Sequence, residues 1–395
     1  MGSSDGETRD LVTSRPGAGW DFALARHPFF EHERPLGPHY TVYNRRLCVG
    51  YFDQRSVEEG YWTIRQKVGI LHCGELVVQF KGPDALNLLN KILTRDVAKI
   101  KPGRCGYGLA CYDDGGLIID GVLLRIDEDL FWYVQADGDF YGWSRALSIG
   151  MDVEITVPDV FVSQVQGPNA LKLLDAAARD GLPEDFTYYG IAQVDLGGQE
   201  YLVTRTGFTN ELGWELYSEP YHDADALWDH LRKHGEPFGL DFTCNDSIDI
   251  RRIEAGILNA GSDFDHSTTP FDFGLSHFVD EGKDGFLGKD ALATASRGRR
   301  QFGIKCPEGE MMISGLVYAD GASAGKITAA AMSPYLGYSI GYVLLDKAGL
   351  TPGAQVDVAC RDGTLNRAEL VEPPFYDKDR LIPRGKHVDI PTLPL

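Results

Sequence analysis

The 395-residue chain lacks the features that mark several large protein classes. No stretch approaches the roughly 18 consecutive apolar residues of a membrane span, and the N-terminal MGSSDGETRD lacks the basic and apolar regions of a signal peptide. Basic residues number 38 against 58 acidic ones, for a formal net charge of −20, and no basic run stands out. Nucleic acid and anionic membranes are therefore disfavoured as partners, and the sequence predicts a cytoplasmic protein.

Motifs for metals and nucleotides are also missing. The seven cysteines form no CxxC pair and no zinc-ligand spacing, which indicates reduced thiols and no metal site. His230 and His234 are four residues apart, but their polar surroundings favour an exposed helix over a metal site. GASAGKIT, starting at Gly321, has the wrong spacing for a P-loop, and GxGxxG after a strand and GxSxG are absent. Kinases, dehydrogenases and serine hydrolases are therefore disfavoured.

Two segments of the chain are similar to each other. GPDALNLLNKIL, from Gly82, and GPNALKLLDAAA, from Gly167, agree at six of twelve positions, and each follows a β-rich run. Each also has proline where a first helical turn tolerates it. The similarity predicts two related α+β units, although strand–Gly-Pro–helix junctions that simply recur would also explain it. Glycine-punctuated β-rich segments from Phe302 to Val371 predict a small all-β module at the C-terminal end.

Two carboxylates stand in β-rich runs. Asp120 lies in LIIDGVLL, where it must be hydrogen-bonded, paired or protonated, because burying an uncompensated charge is costly. Asp120 is the strongest candidate for a catalytic or binding residue. The alternative is that its side chain only caps a turn. Glu215 alternates with Trp214 and Leu216, so it can face away from them and accept two N–H donors from a flat heterocycle. A solvated strand position is the alternative for Glu215.

Five ordered motifs resemble the tetrahydrofolate-binding aminomethyltransferase family, whose founder is the T-protein of the glycine cleavage system. RTGFTNELGWELY (205–217) resembles RTGYTGEDGFE, GGLIID resembles the GGxxDD turn, and QGPNA resembles the QGP step. RRIEAGI resembles the RLEAGL helix, and ITAAAMSPYLGYSIGYVLL resembles the TSGxxSP segment. The resemblance implies a three-domain α+β cloverleaf with a central folate channel. Its expected parts are an N-terminal extension (1–39), two α+β domains (40–160 and 161–297) and a C-terminal β-barrel (298–395).

The resemblance also implies tetrahydrofolate as cofactor and assigns residues to it. Tyr107 matches the folate-contacting tyrosine of GxxxY, and Glu215 matches the glutamate that holds the pterin ring. Asp120 matches the second aspartate of GGxxDD, next to folate N5 and the transferred carbon. Gln135 replaces the asparagine of VNA. Arg252 matches the helix arginine, which would tether a carboxylate or a pocket loop, with a structural ion pair as the equal alternative.

Departures from the T-protein pattern indicate the branch. DVSHM becomes LHCGE (71–75), GED becomes NEL (210–212), and the arginine of ARDTLRLEAG becomes Ile248. YTVYNRRL and KPGRCGY are closer to the branch that contains dimethylsulfoniopropionate demethylase. The resemblance therefore implies an enzyme, a demethylase that passes a methyl group from a small sulfonium-like donor to N5 of tetrahydrofolate. The alternatives are an aryl ether or betaine demethylase, an aminomethyltransferase, or a folate-binding protein without turnover.

A sulfonium donor needs little acid–base chemistry, because its leaving thioether is neutral, so alignment and aromatic contact with the cation dominate. Phe208 and Trp214 are the expected aromatic contacts, with core packing as their alternative. An ether or amine donor would require protonation of the leaving group. His72, with Cys73 beside it, is the candidate for that role, and a buried core histidine is the alternative.

Overall fold

The computed structural model describes residues 24–386. The first 23 residues of the expected extension and residues 387–395 of the expected barrel domain lie outside the described residues. No helix within 24–386 is long and apolar enough to cross a membrane. The α-helices are Phe30–Glu33, Val57–Gln66, Ala85–Ile92, Phe140–Leu147, Ala170–Ala177, Ala224–Gly235, Asn245–Glu254 and Lys289–Thr294.

One sheet has six strands. Their order across the sheet is Ile191–Leu196, Gln199–Thr204, Gly213–Ser218, Phe161–Gln166, Val68–His72 and Leu240–Phe242. Neighbours are antiparallel except for the last pair, which is parallel. On one face, Leu173, Leu227 and Leu231 from two helices pack in a core with Trp214 and Leu216.

A second sheet has five antiparallel strands. Their order is Arg104–Cys111, Leu117–Arg125, Leu130–Gln135, Leu76–Lys81 and Glu154–Thr156. Helices Ala85–Ile92 and Phe140–Leu147 contribute to the core that includes Phe80 and Tyr133. A separate two-stranded sheet joins Pro38–Tyr43 to Arg46–Phe52.

The two large sheets face each other across a shared apolar layer. Val77, Trp132 and Val134 come from the five-stranded sheet, while Leu202 and Tyr217 come from the six-stranded one. Side chains alternate between the two faces of a strand. A residue an even number of positions from one of these apolar residues, on the same strand, therefore points into the same layer. This alternation brings the polar residues of the candidate site together between the sheets.

The two similar segments form equivalent junctions, as predicted. Each strand ends at a glycine with positive φ, 135° at Gly82 and 133° at Gly167, and each is followed by an eight-residue helix. A Cβ atom on Gly82 would lie 2.7 Å from the carbonyl oxygen of Asp152, and one on Gly167 would lie 2.5 Å from that of Lys67. Glycine is therefore required at both junctions by conformation and by space.

The two α+β units are not contiguous in the chain. Strand Val68–His72 falls within the expected first domain, 40–160, but it pairs with Phe161–Gln166 in the six-stranded sheet. Cys73 and Gly74 then carry the chain into the five-stranded sheet.

The C-terminal module is a closed six-stranded barrel, as the β-rich segments predicted. Its strands are Gln301–Cys306, Leu316–Ala319, Ala322–Ser333, Tyr338–Leu345, Gln355–Ala359 and Leu365–Val371. The hydroxyl of Tyr342 donates to the carbonyl oxygen of Ile253 at 3.0 Å and lies 3.2 Å from that of Arg252. These bonds fix the barrel against helix Asn245–Glu254.

Candidate active site

Asp120 and Tyr107 form the first part of the site. They lie on adjacent antiparallel strands, and the Tyr107 hydroxyl donates to Oδ2 of Asp120 at 2.7 Å. The Asp120 side chain is buried, and the Tyr107 ring packs on Phe278 with centroids 4.7 Å apart. Burial raises the pKa of Asp120 from 3.8 to about 6, and the hydrogen bond from Tyr107 opposes that rise. Asp120 can therefore gain or lose a proton near neutral pH.

Glu215 forms the second part, on strand Gly213–Ser218 of the facing sheet. Thr206 and Thr204 donate to its Oε2 at 2.6 and 3.3 Å, Tyr217 donates to the same oxygen at 3.3 Å, and Gln164 donates to Oε1 at 3.1 Å. Burial raises the pKa of Glu215, while the hydroxyl donors lower it. These four donors hold the carboxylate in one orientation, which suits the recognition of a flat ligand with adjacent N–H groups.

Glu75 is a third carboxylate at this site, and sequence reasoning did not identify it. It follows Gly74 at the crossover between the sheets, and its Oε2 accepts a hydrogen bond from the Cys73 thiol at 3.2 Å. Burial and then the nearby Glu215 hold the pKa of Glu75 well above its ordinary value, and Asp120 adds to the effect. Its position in LHCGE, just before the apolar run LVVQF, was the available signal.

His72 lies on the other face of the six-stranded sheet. Leu71 is the cross-strand neighbour of Gln164, so the next residue, His72, points away from Glu215. Its Nδ1 lies 2.8 Å from the carbonyl oxygen of Val162, and its ring stacks on His27 with centroids 5.0 Å apart. Burial and then His27 hold the pKa of His72 well below its usual value, so the ring is neutral. The structure does not bring His72 to the three carboxylates.

The two expected aromatic contacts are separated. Trp214 is 1% exposed and belongs to the core beneath the six-stranded sheet, with Phe186 against it, on the face opposite Glu215. Phe208 packs against Leu71 instead, and its backbone N–H donates to Oε1 of Gln164 at 3.3 Å. The structure therefore brings Phe208, and not Trp214, to the side on which Glu215 lies.

Arg252 is enclosed in an ion-pair network. Its Nε donates to Asp249 at 2.6 Å, and its Nη1 contacts Asp263. Asp263 also accepts a hydrogen bond from Thr328 of the barrel at 2.9 Å. The 3% exposure of Arg252 and its partners match the structural alternative considered for this residue.

Gln135 is fully buried at the end of strand Leu130–Gln135, and its cross-strand partner is Gly121. Because side chains alternate, Gln135 points to the same face as Tyr133, opposite to Asp120, so the structure does not bring it to the three carboxylates. Its Nε2 donates to the carbonyl oxygens of Gly138 and Ala136 at 2.7 and 3.2 Å, and its Oε1 has no hydrogen-bond partner among the described residues. Between residues 24 and 386, no group of three or more His, Cys, Asp and Glu side chains is arranged to hold a metal ion.

Comparisons with known proteins match both parts of the chain. Residues 34–283 match the family model described as the GCVT N-terminal domain, and residues 299–377 match the glycine cleavage T-protein C-terminal barrel domain. An aminomethyltransferase of Thermotoga petrophila is 34% identical over 370 residues, which cover 89% of this chain and 98% of that protein. The dimethylsulfoniopropionate demethylase DmdA of Ruegeria pomeroyi is 30% identical over 331 residues, covering 82% and 90%.

A solved structure shows the same fold. The glycine cleavage system aminomethyltransferase T from Bartonella henselae superposes with a TM-score of 0.81 at 21% identity, over 90% of this chain and 99% of that one. The expected α+β architecture with a C-terminal barrel is thereby confirmed.

Proposed function

Since the chain belongs to the glycine cleavage T-protein family, we propose that it is a demethylase that transfers a methyl group from a small cationic donor to N5 of tetrahydrofolate. The family resemblance of the motifs is confirmed, and with it the enzyme class, a folate-dependent transferase of one-carbon groups. The proposed donor is a sulfonium of the dimethylsulfoniopropionate type. The DmdA relative and the loss of the T-protein arginine at Ile248 support this choice.

The proposal depends on two carboxylates, on facing sheets, whose hydrogen-bond partners differ. Glu215 is fixed by four donors and is suited to accept N–H groups from the pterin ring. Asp120 accepts from one other side chain among the described residues, that of Tyr107, and has a pKa of about 6. These groups fit tetrahydrofolate, which when bound supplies N5 as the nucleophile.

Each residue of the site has a separate role in the proposed reaction. Glu215 orients the ring and is not required to change its charge. Asp120, in its carboxylate form, accepts the proton that N5 loses on methylation, and Tyr107 holds it in place. A leaving thioether is neutral, so this arrangement needs no acid on the donor side, and a distant neutral His72 is compatible with it. Phe208 provides an aromatic face for the methylated cation.

Aminomethyl transfer is the second candidate, and the aminomethyltransferase of Thermotoga petrophila favours it. The test is to incubate the purified protein with tetrahydrofolate under anaerobic conditions and dimethylsulfoniopropionate, glycine betaine, dimethylglycine or vanillate. Mass spectrometry then quantifies 5-methyltetrahydrofolate. Product from a sulfonium alone supports the proposal, and product from vanillate alone contradicts the cationic donor. Folate binding without product from any donor would overturn the demethylase activity.

A further inference from the structure

Buried carboxylates in this protein normally have a basic partner. Seven acidic residues are buried among residues 24–386, and five of them form ion pairs. Only Asp120 and Glu215 have no basic side chain at ion-pair distance among the described residues, and the part-buried Glu75 has none either. The pairs are Glu33 with His27, Glu211 with Arg65 and Arg251, Glu254 with Arg251, Asp263 with Arg252, and Asp272 with Arg300.

Glu75 is the least satisfied of these three carboxylates. Glu215 accepts from three hydroxyls and an amide, and Asp120 accepts from a phenol. Among the described residues, Glu75 accepts only from the thiol of Cys73, which is a weak donor.

Arg46 lies beside Glu75 but forms no ion pair with its carboxylate among the described residues, and its charge lowers the pKa of Glu75 less than burial and Glu215 raise it. The Nη1 of Arg46 donates at 3.1 Å to the backbone carbonyl oxygen of Glu75, and its guanidinium lies over the Phe161 ring, 4.4 Å from the centroid. A substitution at Glu75 can therefore change the charge of the site while the backbone contact of Arg46 remains.

We propose that Glu75 is the residue that recognises the positive charge of the methyl donor, so that a monocationic sulfonium or quaternary ammonium supplies the counter-charge that the protein itself omits. The inference rests on the proposed function and names the donor's charge as the selected property. Tetrahydrofolate brings no cation to this site, because its pterin is neutral and its glutamate is anionic. The thiol that Glu75 contacts at 3.2 Å, that of Cys73, packs against the apolar layer between the two sheets, so the Glu75 carboxylate lies at the layer into which Tyr217 and, two residues before it, Glu215 point.

The experiment compares two probes that differ by one methyl group and one charge. Binding of dimethylsulfoniopropionate and of the neutral thioether 3-(methylthio)propionate is measured by calorimetry on wild-type protein and on Glu75→Gln, without tetrahydrofolate, so that no methyl transfer occurs. We expect Glu75→Gln to weaken sulfonium binding about tenfold or more, as for loss of one partner of a desolvated charge pair, and to change thioether binding less than about twofold. Equal weakening of both probes, or of neither, would overturn the inference.

A second measurement detects the proton that is released when the cation binds. Burial raises the pKa of Glu75 and a bound cation would lower it, so binding of the cation should favour release of a proton from Glu75. Calorimetry in two buffers of different ionisation enthalpy should show proton release with the sulfonium, none with the thioether, and little with either probe in Glu75→Gln. The other titratable or charged groups that interact with Glu75 among the described residues are Cys73, Cys48, Tyr43, Tyr217, Asp120, Glu215 and Arg46. Undiminished release in the variant would assign the proton to one of them and contradict the role of Glu75.

Two further variants control for folding and for net charge. Glu75→Asp keeps the charge and should retain most of the preference for the sulfonium, and it serves if Glu75→Gln does not fold. Glu154→Gln makes the same change at an exposed position beside Lys81, at the far end of the strand that follows Glu75, and should behave as wild type. The binding comparison needs no turnover, so an enzyme that demethylates no donor would refute the proposed function while the role of Glu75 is still decided.

Discussion

The hydroxyl of Tyr107 donates a 2.7 Å hydrogen bond to the carboxylate of Asp120 across two adjacent strands of the five-stranded sheet. Burial, with Asp120 next, holds the pKa of Tyr107 well above its ordinary value, so the phenol remains a donor at physiological pH. Its hydrogen bond lowers the pKa of Asp120, which burial would otherwise raise further. The pair therefore sets the pH at which Asp120 can accept a proton.

Tyr107→Phe should move the pH dependence of demethylation upward. In wild type, kcat/KM should fall as the pH drops through about 6, because Asp120 becomes protonated. Loss of a hydrogen bond worth about 1.4 kcal/mol should raise the midpoint by about one pH unit. The measurement is the pH profile of 5-methyltetrahydrofolate formation. Tyr133→Phe is the matched control, since its buried hydroxyl donates to the Gly108 carbonyl oxygen, and an identical shift in both variants would contradict the role of Tyr107.

Asp120→Asn should abolish most activity and yet stabilise the protein at neutral pH. The pKa of Asp120 is higher in the folded chain, about 6 against 3.8, so ionised Asp120 disfavours folding above pH 6 and this cost disappears below pH 4. Two pKa units correspond to at most about 3 kcal/mol at pH 7.5 and about half of that at pH 5. Urea unfolding of both proteins at the two pH values measures the difference. If the variant is less stable than wild type at pH 7.5, the conclusion that the ionised carboxylate of Asp120 destabilises the folded protein is contradicted.

Arg252→Ala should reduce stability rather than folate affinity. It removes the partner of the buried Asp263, and breaking a buried ion pair costs about 3 to 5 kcal/mol. The free energy of unfolding and the folate dissociation constant are measured together, on Arg252→Lys if the alanine variant does not fold. The exposed Arg232, paired with Asp229 at 3.5 Å, is the control and should change stability by less than about 0.5 kcal/mol when replaced by alanine. Loss of folate binding at unchanged stability would show instead that Arg252 contacts the folate.

His72→Gln should leave the turnover of a sulfonium donor within about twofold of wild type at neutral pH, a change too small for a lost acid catalyst. The reason is that His72 faces the core with His27 and Val162, away from Asp120. The melting temperature should fall, because the stacking on His27 is lost. A hundredfold loss of turnover with an unchanged melting temperature would show that the histidine takes part in the chemistry.

Local features of the fold could be predicted from the sequence. The Gly-Pro junctions at Gly82 and Gly167 and the β-rich tail depend on residues close together in the chain. Asp120 and Glu215 were identified as candidates from the same local patterns, and the structure buries both, against the solvated alternative considered for Glu215. The domain bounds were harder to predict from the sequence, because strand Val68–His72 joins the six-stranded sheet, whose other strands come later in the chain.

The sequence by itself determined the family, the folate-dependent class of enzyme and which strands carry buried acids, because ordered motifs and strand alternation are properties of short stretches. Only the tertiary structure decided which polar groups meet. It placed His72 and Trp214 on the outer face of the six-stranded sheet and enclosed Arg252 with Asp263, and it brought Glu75 to Asp120 and Glu215. The physical reason is that neighbours across two packed sheets depend on register and on the crossover at Gly74, where an added Cβ would lie 2.4 Å from the Cys48 sulfur.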